Sequence, residues 1–290
     1  MKKTLFILML SLQSLFGVDL SYGKGNFDFS FGLNGGMNAN VGLDIDLLSL
    51  RENHLSLSQN FFLYGNVDIY QSKTVDGYAA YFEQAANFNP FGPSSSDVIG
   101  EFTPIPIPVS YKMRGIDMNI GVGYDIVKQE GSYLSVGIGT GFSMPYVETQ
   151  NIVNDAQNVS ETLQETKTEI MTYKLLPSLH GAYVFVPGLK VQGSLQYGYQ
   201  FGTVENEYIN GEGDISGTNL STDIRLEYAT FVNSSSWKVF YLTAGYRYND
   251  WSVDDMKVSV INPMLSIDMM QTLSMGFSSD FAYFGAGYSF

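Results

Sequence analysis

From residue 26 onwards, apolar and polar side chains alternate through one short stretch after another. A period of two sends one set of side chains to each face of a β-strand. In residues 26–34, Phe27, Phe29, Phe31 and Leu33 fall on one face, against Asn26, Asp28, Ser30, Gly32 and Asn34. In residues 116–126, Ile116, Met118, Ile120, Val122, Tyr124 and Ile126 oppose Asp117, Asn119, Gly121, Gly123 and Asp125. The same alternation runs through 40–47, 55–69, 134–143, 173–185, 191–201, 220–228 and 240–248. A soluble sandwich would carry a charged, solvated polar face. Here that face is mostly Gly, Ser, Asn and Gln with scattered charges, as a crowded lumen requires. No segment offers the roughly 18 uninterrupted apolar residues of a spanning helix. In a bilayer, the remaining way to satisfy every backbone N–H and C=O is a closed barrel.

The expected fold is all-β, an antiparallel transmembrane β-barrel. Its strand number turns on the end of the chain. Residues 256–260 and 265–277 alternate on either side of Asn262-Pro263. Read as strands they bring the total to twelve, the favoured number; read as a loop with a Met-rich helix they leave ten. Both numbers are even, as single-chain bacterial barrels require. Turns at 51–54, 128–131, 187–188, 232–236 and 262–263 are short, and the connections 71–108 and 145–170 are long. Short periplasmic turns and long extracellular loops are the rule for such barrels. In the first long loop, residues 78–88 read as one amphipathic helix. The alternate prolines Pro104, Pro106 and Pro108 favour polyproline II and cannot continue a central strand. In the second, Ile152, Ala156, Val159, Leu163 and Ile170 follow helical spacing beside Glu148, Asp155, Glu161, Glu165 and Glu169.

The N-terminus reads as a signal peptide. Lys2-Lys3 is its charged part, residues 5–12 are a short apolar core, and cleavage is expected after Gly17. Residues 18–290 then form one barrel domain. Net charge is −14, with only 15 Lys and Arg, which argues against nucleic acid as a partner. Charged residues make up 15% of the chain, while Gly (30), Tyr (20) and Phe (20) are abundant; that balance suits lipid-facing strands around a crowded interior. There is no Cys, so thiolate metal sites and thiol nucleophiles are excluded.

The chain ends Phe281-Ala282-Tyr283-Phe284-Gly285-Ala286-Gly287-Tyr288-Ser289-Phe290. This resembles the terminal strand of Gram-negative outer-membrane β-barrel proteins, porin-like in general form. Phe290, Tyr288 and Phe284 share one face and match the assembly signal of that family. The resemblance implies location in the bacterial outer membrane, with its lipid and the barrel assembly machinery as partners. It selects no functional subfamily.

Chemistry is sparse. His54 falls in an expected periplasmic turn, and His180 faces the lumen. Ten-stranded surface proteases place Asp and His pairs on the outer rim; Asp254-Asp255 has a similar look, but neither His follows an Asp or falls at that rim. No His, Asp and Glu cluster has metal-ligand spacing, so no metal, cofactor or catalytic residue is assigned and the chain is read as a non-enzyme. The inward charges carry more information. Asp117, Asp125, Lys174, His180, Lys190, Asp223, Arg225, Glu227, Arg247 and Asp268 are candidates to line a pore. Asp28, Asp44, Asp46, Asp68, Lys112, Arg114 and Lys257 are read as facing inward too. The expectation is a monomeric barrel acting as a narrow passive channel for small hydrophilic solutes or ions. The alternative is a barrel with a plugged lumen whose extracellular loops carry the function.

Overall fold

The computed structural model describes residues 18–33, 37–83, 103–151, 165–206, 211–229, 239–253, 255–260 and 273–289. Twelve strands succeed one another: β1 (Asp19–Leu33), β2 (Met37–Ser56), β3 (Phe61–Ser72), β4 (Val75–Glu83), β5 (Thr103–Gln129), β6 (Ser132–Asn151), β7 (Glu165–Val186), β8 (Leu189–Asn206), β9 (Gly211–Ala229), β10 (Val239–Val253), β11 (Asp255–Val260) and β12 (Leu273–Ser289). The barrel wall nevertheless has ten staves. β4 continues the line of β3 along β5, and β11 continues the line of β10 along β9. The ring closes through β10–β12 and β12–β1, all antiparallel. Of the two closing segments expected at 265–277 and at the C-terminus, residues 273–277 and 281–289 belong to one strand, β12; residues 265–272 lie outside the described residues. The count of twelve thus gives way to the ten-strand alternative, because the outer parts of two staves were read as separate strands.

Bonded partners spiral upward around the wall. A row starting at Ala286 of β12 passes through Leu20, Leu50, Val67, Met118, Phe142, Tyr173 and Phe201 to Ser216 and Asp255. Asp255 lies beyond Val253, which faces Met275, so the row ends above its start. That stagger is what a closed, tilted barrel demands.

The turns at one end are tight. Gly131 (φ 75°) and Gly188 (φ 87°) take the left-handed conformation that closes the β5–β6 and β7–β8 hairpins. The turn expected at 51–54 lies instead at 57–60. Arg51 and His54 remain in β2, whose register against β3 shifts between Glu52 and Leu55. A β-bulge of this kind re-aims side chains without ending the strand. Residues 232–236 lie outside the described residues. So do Asn262 and Pro263.

The described parts of the expected long loops are wall. Residues 75–83 and 103–108 pair as β4 and β5, and 145–151 pairs with 165–169 as β6 and β7. The helix read over 78–88 is a strand as far as Glu83, and Ile170 sits in β7. Residues 84–102 and 152–164 lie outside the described residues. β5 is 27 residues long, whereas about 9–11 tilted residues cross a bilayer; the wall therefore projects well beyond it.

Candidate functional site in the barrel interior

Over the lower wall the alternation behaves as expected. Ile120, Ile126, Ile138, Leu175, Tyr183, Tyr197, Ile224 and Phe284 are exposed on the outside. On these strands and on β10, Asp117, Asp125, Ser135, Lys174, Gln192, Gln196, Arg225, Glu227 and Arg247 are buried inside. On β5 the outward apolar run from Ile116 to Ile126 matches the thickness of hydrocarbon.

Above that belt the polarity inverts. Phe27, Leu43, Ile45, Leu47, Tyr70, Met113, Ile170, Val204, Ile215, Trp251, Val253 and Phe277 are buried and pack on one another inside the barrel. Asp28, Asp44 and Asp46 are exposed on the outside, which corrects their reading as lumen acids. Arg114 also points outward, its side chain 54% exposed and paired with Glu148, and Lys112 shares its face. Outside hydrocarbon a wall meets water, so its charged face turns outward and its apolar face becomes a core.

The lumen therefore holds stacked layers of unlike chemistry. At the tight-turn end Arg225 sits 2.6 Å from Glu227 and 3.4 Å from Asp19, and donates to Gln192 at 2.6 Å. Asn53 turns its amide oxygen to the same guanidinium. Half-exposed Lys190 pairs with Glu227 at 2.6 Å, at the mouth rather than in the passage. Beside this, the His54 ring lies 4.2 Å from Phe62 and 4.3 Å from Tyr133 and meets Asp125 at 2.9 Å. Ser135 and Lys128 hold the same carboxylate at 2.7 and 3.0 Å.

The next layer is a clasp. Asp223 takes Arg51 at 2.8 Å, Arg247 at 3.1 Å and the Tyr283 hydroxyl at 2.9 Å. Arg51 lies over the Tyr283 ring at 4.7 Å. Arg247 also pairs with Asp68, which Ser49 and Asn66 hold in place. Lys174 pairs with Asp117, and Trp251 covers it at 5.2 Å. Every buried Lys or Arg named here has a carboxylate partner, as groups removed from water require. Over them lies the apolar layer, where Phe27 touches the rings of Tyr70, Trp251 and Phe277 at 5.9–6.1 Å.

Glycine makes the filling possible. An added Cβ at Gly121 would stand 2.2 Å from the Tyr64 ring, and one at Gly115 2.4 Å from Tyr70. The rings thus lie flat across neighbouring strands and occupy the lumen. What space remains is small. The clasp encloses a cavity of about 30 Å³ and the apolar layer one of about 10 Å³, each near the size of a single water. At the tight-turn end a vestibule of about 540 Å³ opens, floored by Arg51 and Arg225; a second cavity of about 630 Å³ lies against the wall between Leu50, Val67, Met118 and Tyr173.

Of the expected pore-lining residues, Asp117, Asp125, Lys174, His180, Asp223, Arg225, Glu227 and Arg247 do face the interior. Asp268 and Lys257 have no described side chains. Of the assembly-signal residues, Phe284 is 61% exposed on the outer face and Tyr288 shares that face; Phe290 lies outside the described residues. Sequence reasoning missed Arg51 and Asp19, and it missed the apolar layer altogether. On β1 and β2 the polar face carries Lys24, Asp28, Asp44 and Asp46 among its Asn, Ser and Gly, a mixture too like that of the lower wall to mark the layer.

A nucleophile–base pair does occur, since Ser178 Oγ lies 2.9 Å from His180 Nε2. However, Tyr64 holds the same hydroxyl at 2.8 Å, both residues are buried, and no carboxylate orients His180 among the described contacts. A triad needs all three parts and room for substrate. Both histidines of the chain lie below the apolar layer, away from the outer rim. Among the described residues no three His, Asp or Glu groups are placed to hold a metal ion.

No protein-family model matches the chain, and no curated protein matches it. Solved structures do. The outer membrane protease OmpT from Escherichia coli superposes with a TM-score of 0.52 over 94% of this chain and 96% of that one, at 10% identity. The transport unit of the autotransporter AIDA-I from Escherichia coli gives 0.43 at 13% identity, over 98% and 97%. Ail of Yersinia pestis gives 0.29 at 11% identity, over 94% and 99%. At these identities the likeness is one of fold, and OmpT carries it. With its ring of ten antiparallel strands and its apolar outer belt, the chain has the fold of a Gram-negative outer-membrane β-barrel.

Proposed function

We propose that this chain is a sealed outer-membrane barrel whose work is done by the wall and connections that project outside the cell. The observation that carries the reading is the filling of the lumen by the described side chains, in which a paired-charge layer lies beneath an apolar layer. Ion passage needs a continuous polar path, and here the path meets Arg51, Asp223 and Arg247 locked together and then the rings of Phe27 and Trp251. A porin-like passive channel, the leading expectation from sequence, keeps one observation in its favour: the vestibule leads from the periplasmic mouth to the clasp itself. On that second reading, parting Asp223 from its arginines opens the way.

Single-channel current across a planar bilayer separates the two. Folded protein, verified by its electrophoretic shift on heating, is expected to give no discrete steps. Steps with ion preference would remove the sealed reading. The absence of enzyme activity belongs to the same proposal, supported by the burial of Ser178 and His180 beneath the apolar layer.

A further inference from the structure

β4 is an outer strand with one bonded neighbour. It pairs with β5 from Val75↔Tyr111 to Glu83↔Thr103. On its other side the wall parts. β2–β3 pairing stops at Ile45↔Ser72, and residues 37–44 of β2 stay with β1. Among the described residues nothing pairs with the second edge of β4.

The prolines of β5 define what that edge presents. Pro104, Pro106 and Pro108 face Phe82, Ala80 and Tyr78. Proline has no N–H and cannot form the reciprocally bonded pair of an antiparallel ladder. These are therefore the non-bonded pairs, and Ala79 and Tyr81 hold β5 instead. The N–H and C=O groups of Tyr78, Ala80 and Phe82 point away from β5, to the open edge. The prolines turn their own missing donors to the opposite side, where β5–β6 pairing ends at Val109↔Asn151.

The outer edges are therefore unequally guarded. Prolines close the far side of β5, and β11, which pairs only with β9 among the described residues, carries Asp255 and Lys257. Proline and charge are the usual protections of an exposed edge. Between Asp76 and Glu83, β4 has neither: Gly77, Tyr78, Ala79, Ala80, Tyr81 and Phe82 are uncharged.

We infer that the open edge of β4 is a docking site for an extended segment of another protein at the cell surface, which adds as a further strand. Such addition takes its affinity from main-chain hydrogen bonds. Acidic residues at both ends of the edge, Asp76 and Glu83, select a proline-free segment with a neutral middle and basic ends. The inference rests on the sealed, surface-acting reading and names where that surface acts.

The test uses refolded full-length barrel in micelles and a labelled peptide of alternating threonine and valine with a lysine at each end. Fluorescence anisotropy is expected to show saturable binding that weakens at least tenfold in Ala80→Pro, which removes an outward donor and leaves the β5 ladder intact. Amide exchange supplies a second measurement. In the free protein the amides of Tyr78, Ala80 and Phe82 should exchange fast and those of Ala79 and Tyr81 slowly; peptide should protect the first set. The inference is overturned by no saturable binding, by equal binding to Ala80→Pro, or by amides at 78, 80 and 82 already protected, which would mean the chain covers its own edge. A conducting barrel would instead overturn the sealed reading, so the two failures are distinguishable.

Discussion

Asp223→Ala tests whether the lumen is dry. Among the described contacts Asp223 is the one carboxylate paired with Arg51, at 2.8 Å, and it also holds Arg247 and Tyr283. Arg247 keeps Asp68 when Asp223 is removed, whereas Arg51, with its side chain 3% exposed, keeps only neutral hydrogen-bond partners, Tyr283 and Ser49, among the described contacts. Breaking a buried ion pair from one side costs about 3–5 kcal/mol. At about 1.4 kcal/mol per tenfold, that lowers the folding equilibrium between about a hundredfold and a few thousandfold. The assay is urea unfolding in lipid vesicles, followed by the electrophoretic shift of the folded barrel. Replacing the pair together, as Arg51→Met with Asp223→Leu, should recover most of the loss, because no unpaired charge is left. A cost below about 1 kcal/mol for Asp223→Ala would refute the reasoning, since that is the value of a pair screened by water. It would mean that solvent reaches the clasp from the vestibule.

Two further substitutions probe the packing. Trp251→Ala removes a 6%-exposed ring from the apolar layer and should cost about 3–5 kcal/mol in the same urea assay, more than truncation of an exposed lipid-facing Tyr such as Tyr197. Gly121→Ala drives a Cβ into the Tyr64 ring and should cost about 1–3 kcal/mol; Tyr64→Leu in the same chain should return part of it, and a simple sum of the two losses would show that the ring does not lie over Gly121.

The lower wall was legible because hydrocarbon outside and filler inside enforce a strict period of two. Ile116 to Ile126 and Leu175 to Phe185 point outward as the alternation requires. The same alternation in β1 and β2 named the right two faces but the wrong sides. Period two separates Phe27 from Asp28; it does not say which of them meets water, and above the bilayer the answer reverses. Asp28, Asp44 and Asp46 were misassigned for that reason. Arg51 and His54 were hidden because a bulge looks like a turn in a polar run of four. The favoured count of twelve gave way to the alternative of ten because β11 continues the line of β10 along β9, and a break in pattern does not distinguish a new strand from a continued one. Pro104, Pro106 and Pro108 were read correctly as unable to join a central strand; they occupy an edge, which that rule permits.

The two seals differ in kind, and that difference makes conductance the sharper test of the whole interior. A charged layer blocks by occupancy: water and ions enter once the side chains are shortened. An apolar layer blocks by dewetting even where a gap exists. Removing one should leave the other. Phe27→Ala with Trp251→Ala is therefore expected to stay silent in a planar bilayer, because the clasp beneath encloses only about 30 Å³. Asp223→Ala with Arg247→Ala should stay silent too, because the ring cluster above remains. All four changes together should give discrete currents, provided the protein is shown to be folded. Steps from either pair alone would show that its layer was the sole barrier. Silence from the folded fourfold variant would place the seal elsewhere, at the aromatic clamp of His54 between Phe62 and Tyr133, and Phe62→Ala would then be the change that opens the barrel.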